Sequence, residues 1–169
     1  TEMGMKVGST STKSKATTYS FVSTTKKKGD NPFRNALTKY NLINNKHIPN
    51  DYMYNDRNTR LHLLAGIIDS DGYYQKAMNQ YEITMKPEII IDGIVDISRS
   101  LGFACYKKQV KKYCIHNGNK VEETYYRVNI CGEHINEIPV LLKRKQSHEC
   151  LKNKDPLLYG IKLEKLKRD

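Results

Sequence analysis

The stretch "LLAGIIDSDGYY", Leu63 to Tyr74, puts two carboxylates, Asp69 and Asp71, at the end of an apolar run and directly ahead of Gly72. Closely spaced acids are the residue type that holds hard divalent cations through oxygen. Their position needs an explanation, because the last turn of a helix is the negative end of its macrodipole and disfavours anions. One alternative is an ordinary Asx turn closing the helix, since Asp and Gly are both turn residues. A calcium loop of the EF-hand kind is excluded: it requires Gly at the sixth position and Glu at the twelfth. Counted from Asp69, those positions hold Tyr74 and Gln80.

The helix leading to these acids is expected to start at Asn58 or Thr59 as cap, and its pattern is unusual. Leu61, Leu64, Ala65 and Ile68 form one apolar stripe, and Leu63, Gly66, Ile67 and Ser70 form a second at the same spacing. A helix that is apolar or small on two faces is buried on both sides. One face serves its own domain and the other needs a partner. Gly66 and Ser70, four residues apart, let a second helix backbone approach closely, a packing logic best known from membrane helices. Two such helices side by side bring their ends together, so that each Asp71 faces its counterpart. A divalent cation held between carboxylate and phosphate oxygens removes that repulsion, and Asp71 is accordingly read as a metal ligand.

The elements around this helix follow from periodicity. Asp30 or Asn31 caps an earlier helix with Pro32 in its first turn and Phe33, Ala36, Leu37 and Tyr40 on one face. Past Gly72 the period shortens, and "YEITMK" (Tyr81 to Lys86) alternates as a strand. "PEIIIDGIVDISRSLG" reads as a helix begun by Pro87, faced by Ile90, Ile94, Ile97 and Leu101, and stopped by Gly102. "FACYKKQVKKYCI" and "TYYRVNIC" are two strands joined by the turn-rich "HNGNKVEE", and "EHINEIPVLL" is a last short helix interrupted at Pro139. The order helix, two strands, helix, two strands, helix predicts an α+β domain with helices on one face of the sheet.

A chain of 169 residues accommodates one domain with ragged ends. No run approaches the ~18 apolar residues of a membrane span, and "TEMGMKVGST" lacks the features of a signal peptide. The expectation is an intracellular chain, of open compartment and with no membrane partner. Cys105, Cys114, Cys131 and Cys150 form no CxxC pair, which removes the usual zinc signature; they are expected as reduced, mostly buried thiols. His116, His134 and His148 are scattered and are given no ligand role. The net charge of +11 is uneven: residues 1–34 and 143–169 each carry +5 and the middle +1. That favours a polyanionic partner, with solvated basic tails as the alternative.

Residues Leu64 to Gly72, "LAGIIDSDG", resemble the signature of the LAGLIDADG homing endonucleases. "NPFRNALTKYNLINNKHIP" upstream is similar to the segment ahead of the second motif in the intein-encoded (DOD-type) branch, as are "SRSLGF", "IPVLLKRK" and "LLYGIKLEK" downstream. The resemblance covers Asn31 to Lys145, with a weaker echo beyond. It implies an αββαββα fold, with an antiparallel saddle-shaped sheet and helices on one face. The expected layout is a basic leader over 1–30 carrying at most one edge strand ("TTYSFVS", Thr17 to Ser23), the endonuclease domain over 31–145, and a basic tail over 146–169.

The resemblance further implies metal-dependent hydrolysis of DNA phosphodiesters. Asp71, with Gly72 after it, would form the site for Mg²⁺, or alternatively Mn²⁺, at the scissile phosphate. Lys145, or alternatively Lys143, corresponds to the family's basic residue beside the attacking water. Asp69 corresponds to an acid that is more often structural. Family members cut both strands of double-stranded DNA with two motifs, and this chain has one. The face formed by Leu63, Gly66, Ile67 and Ser70 would therefore meet an identical chain, giving a homodimer, or a missing first LAGLIDADG half. The rival readings are a DNA- or RNA-binding module of the same fold without cleavage, and a degenerate intein fragment. No N-terminal Cys or Ser nucleophile and no terminal His-Asn pair accompany the motif, so self-splicing is not expected.

For the DNA face, alternation sets Tyr126, Val128 and Ile130 on one side of a strand and Tyr125, Arg127 and Asn129 on the other. Arg127 and Asn129 carry the hydrogen-bonding types that read base edges in a major groove. Lys107, Lys108, Lys111 and Lys112 are expected to contact phosphates. The alternative is a solvated face whose lysines guard against edge pairing.

Overall fold

Strand alternation and helical periodicity resolve into a four-stranded antiparallel sheet with two helices laid across one face. The structure, a computed structural model, describes residues 5–11, 17–24, 31–116 and 119–149. The domain runs α1 (Pro32–Lys39), α2 (Asn50–Met53), α3 (Arg57–Asp71), β3 (Gly72–Gln75), β4 (Gln80–Met85), α4 (Glu88–Ser100), β5 (Ala104–His116) and β6 (Asn119–Cys131). Ahead of it lies a hairpin of β1 (Met5–Ser11) and β2 (Thr17–Ser23). Sheet order is β3-β4-β6-β5 with every pair antiparallel, the α+β arrangement expected from the sequence.

The core lies between the sheet and α3 and α4. Leu61, Leu64, Ala65 and Ile68 of α3 and Ile91, Ile94, Val95 and Ile97 of α4 are buried against Tyr81, Ile83, Cys105, Val128 and Ile130 of the strands. Full burial of each large side chain contributes about 1.5–3 kcal/mol. Gly93 is where Ile48 crosses α4, and a Cβ there would sit 3.0 Å from the Ile48 Cδ1. Gly102, at φ +93°, ends α4 as the sequence indicates. The Phe103 N–H donates to the Ser98 carbonyl and the Gly102 N–H to the Arg99 carbonyl, both at 3.0 Å, which is the Schellman pattern.

Several expectations are corrected. The cap of α3 is Asp56, not Asn58 or Thr59: its Oδ1 accepts from the Thr59 N–H at 3.0 Å and its Oδ2 from the Thr59 hydroxyl at 2.7 Å. Thr59 is instead the third helical residue, the position whose amide a cap side chain reaches. Its hydrogen bonds hold the Asp56 carboxyl below the ordinary value of 3.8. "TTYSFVS" is a strand, but it pairs with β1 in a separate two-stranded sheet and not with the edge of the main one. "HNGNKVEE" is mostly strand: β6 starts at Asn119 and only residues 117 and 118 separate it from β5. Glu122, expected in the connection, pairs across the ribbon with Lys111 at 3.0 Å. In place of a last helix there is one 3₁₀ turn, Ile135–Glu137, with Ile138 extended after it. The "LLYGIKLEK" segment and most of the expected tail lie outside the described residues.

Ile94→Ala should cost about 2–5 kcal/mol in urea unfolding, and Ile89→Ala, at an exposed site on the same helix, within about 0.5 kcal/mol. Because folding lowers the Asp56 pKa, its contribution is present above the unfolded pKa and lost as pH falls through the folded one. Asp56→Asn should therefore flatten the acid limb of a stability-against-pH curve measured by circular dichroism.

Candidate functional site

The carboxyl end of α3 passes into β3 with no loop. Asp71 is the last helical residue and Gly72 the first of the strand, at φ −81° and ψ 159°. A Cβ on Gly72 would come within 2.8 Å of both the Ile68 Cα and its carbonyl oxygen. Only glycine fits so direct a passage, which gives Gly72 a steric reason independent of any metal. The consequence is that Asp71 is exposed where the helix end meets the sheet.

The two acids part company here. One oxygen of Asp71, Oδ2, accepts from the Ser70 hydroxyl at 3.0 Å; the other has no partner among the described residues. Asp69 turns the other way, and its two oxygens accept from the Leu141 and Leu142 amides at 2.9 and 3.0 Å. Lys145 is buried and donates from Nζ to the Ile68 and Asp69 carbonyls at 2.8 and 2.9 Å. Lys143 is exposed at the start of a second 3₁₀ turn, Lys143–Lys145, which Lys145 ends.

Among the described residues no three His, Cys, Asp or Glu side chains converge on a metal-sized site. A hard divalent ion takes several oxygen ligands, and Asp71 offers one exposed carboxylate. The chain therefore presents half of a site, fitting a cation only when phosphate or a second carboxylate supplies the remaining oxygens.

The outward face of α3 is open. Leu63 and Ile67 are half-buried, Gly66 and Ser70 exposed, and a Cβ on Gly66 would meet nothing within 4 Å. Leu141 and Leu142, held by Asp69, are exposed as well.

On the sheet, the register puts Tyr106 opposite Asn129 and Lys108 opposite Arg127. With Lys112 and Tyr125 they line the face away from the helices. Arg127 is held there, donating from Nε to the Thr84 hydroxyl and pairing with Glu82, both at 3.2 Å. Lys112 lies over the Tyr125 ring at 5.4 Å. The four lysines expected as one phosphate-binding set are split. Lys107 shares its face with the buried Cys105, pairing with Glu88 of α4 at 2.7 Å and with Asp92; those two carboxylates, Asp92 first, raise its pKa. Lys111 alternates with Lys107 on that side and pairs with Glu122. Counting by twos from Cys105 predicts this division.

Sequence reasoning also missed a knot at the far edge. The Tyr74 hydroxyl donates to Asn79 Oδ1 at 2.8 Å and meets His148 Nδ1 at 2.7 Å, while Asn79 Nδ2 donates to the His148 carbonyl at 3.0 Å. His148 thus pins the end of the described chain to the β3-β4 turn. Cys105 is a free thiol, and burial pushes it up to about 11, leaving it no nucleophilic role at neutral pH.

Residues 47–147 match the family described as homing endonuclease. The homothallic switching endonuclease of Saccharomyces cerevisiae is 31% identical over 164 aligned residues, covering 80% of this chain and 28% of that protein. The chain thus spans less than a third of the length of this relative. As a check on the open α3 face, Gly66→Ala should stabilise the isolated chain by about 0.5–1 kcal/mol in urea unfolding, since the methyl meets no neighbour and glycine is poor in helix interiors.

Proposed function

The chain belongs to the homing endonuclease family, and from that premise we propose that it is one half of a site-specific, metal-dependent DNA endonuclease. In this reading it comes from the intein-encoded branch and carries the second of two motifs. The observation that carries the proposal is the combination on α3 of an exposed, half-liganded Asp71 with an open face of Leu63, Gly66, Ile67 and Ser70. A second copy of that helix, from an identical chain or a first half, would cover the apolar face and set two Asp71-type carboxylates together at the DNA.

The residues then divide the work. Asp71 would hold Mg²⁺ or Mn²⁺, with Ser70 orienting its Oδ2. When bound, such an ion supplies Lewis-acid stabilisation at the scissile phosphate and lowers the pKa of the attacking water. Arg127 and Asn129 would read base edges from the open sheet face. Lys108 and Lys112, beside them, would neutralise phosphates. Lys107 takes no part, being neutralised against α4. No helix of the described residues is long and apolar enough to cross a membrane.

Asp71→Asn should abolish Mg²⁺-dependent cutting in a plasmid library carrying candidate sites, while gel-shift affinity changes little; normal cutting by this variant would overturn the assignment. Lys108→Ala should reduce the slope of log affinity against log salt by about 1, and Lys107→Ala should leave it unchanged. A wild-type chain that binds duplex with a steep salt dependence but cuts nothing at any metal concentration would favour the binding-module reading.

A further inference from the structure

Lys145 is the only charged side chain among the buried described residues, and its surroundings are specific. The last carbonyls of a helix have no intrahelical donor. In α3 the carbonyl of Ile68 accepts from the Gly72 N–H, and Lys145 Nζ adds a second bond to Ile68 and one to Asp69. A cation there complements the negative end of the macrodipole. The bonding is reciprocal. The Asp69 carboxylate takes the Leu141 and Leu142 amides, and the Lys145 N–H returns to the Leu142 carbonyl at 2.7 Å. A closed circuit therefore joins the end of α3 to the 141–145 segment, more than seventy residues away in sequence.

Two residues beyond the circuit is Asp71. An ammonium whose donors are aimed at helix carbonyls, and which is shut away from solvent, has no lone pair or open approach with which to act on a substrate. Its charge instead fixes the end of the helix that carries the metal-binding carboxylate. We propose that Lys145 and Asp69 are positioning residues that preorganise Asp71 for a divalent cation, and that Lys145 is not the base of the reaction. The proposal rests on the reading of Asp71 as a metal ligand. It differs from that reading in what it predicts for metal affinity.

The test is paramagnetic broadening of the Gly72 amide in ¹⁵N spectra of the full chain as Mn²⁺ is added with a short DNA duplex present to supply the phosphate oxygens, a readout that needs no cutting and detects weak binding. Asp71→Asn is the control and should remove the broadening. Lys145→Met and Asp69→Asn should each raise the Mn²⁺ concentration at half-broadening roughly tenfold, the usual cost of losing a partner that orients a metal ligand. Where cutting is measurable, both should raise the Mg²⁺ concentration for half-maximal rate by a similar factor, with most of the rate recovered at saturation and an unchanged pH profile. An unchanged Mn²⁺ midpoint in both variants overturns the proposal. So does a Lys145→Met chain that binds Mn²⁺ normally yet has lost cutting at every Mg²⁺ concentration, which would make Lys145 catalytic. Should Lys145→Met fail to fold, Asp69→Asn, which keeps the buried ammonium, decides alone. A wild-type chain that binds Mn²⁺ at Asp71 but cuts no DNA sinks the endonuclease reading and leaves the positioning role to the variants' midpoints. No broadening in the wild type overturns both.

Discussion

Everything in this domain is arranged around α3, a helix obliged to be apolar on two sides while ending in acids. Its inner stripe, Leu61, Leu64, Ala65 and Ile68, is buried on the sheet and cannot be exposed without losing several kcal/mol of burial. That fixes the rotation of the helix. With the rotation fixed, Leu63, Gly66 and Ile67 must face outward and Asp71 must arrive where the first strand begins. Arg57, at the other end, bonds the Leu101 carbonyl at 2.9 Å and pairs with Glu137 at 2.6 Å, tying α3 to the end of α4 and the 3₁₀ turn. Both ends of the helix are thus anchored by charged groups, and its open face lies between them.

The charges near the carboxyl end of α3 have separate tasks that composition alone merges. Asp69 and Lys145 lie within a residue or two of the same helix terminus, with opposite charges, and both are consumed by backbone partners. Asp71 is left as the anion available to a ligand. On the sheet, Arg127 and Lys112 are steadied by Glu82 and an aromatic ring. Preorganised cations lose less conformational freedom on meeting a phosphate or base than mobile ones do. Lys107 belongs to the fold: it fastens β5 to α4 through two carboxylates.

The legible parts of the sequence are those where one physical rule acts without competition. The apolar stripes of α3 and α4, the alternation of β4 and β6, the Asn31 cap and the Gly102 stop all depend on neighbours two to four residues away. The misreadings occur where a residue's role is set by something distant or by competing cues. Asn119 is a turn residue and Glu122 and Glu123 are poor strand formers, yet cross-strand pairing with β5 holds them in β6. "EHINEIPVLL" carries helical periodicity, but its Ile138, in extended form, and its Val140, after a tight turn, are both drawn into the core, and Pro139 removes an amide. Asp56 lies ahead of where the apolar pattern begins, so the pattern points too far along.

The sequence by itself determined the class of fold and the motif, because stripe spacing and the Asp-Gly ending are local properties of the chain. Tertiary structure alone decided what the neighbouring charges do. Whether Asp69 faces solvent or two amides and whether Lys145 is open or shut under a helix end depend on contacts between segments more than seventy residues apart. Hydrogen-bonding capacity is the same for every Asp or Lys. Its direction is fixed only when the sheet and helices close around it.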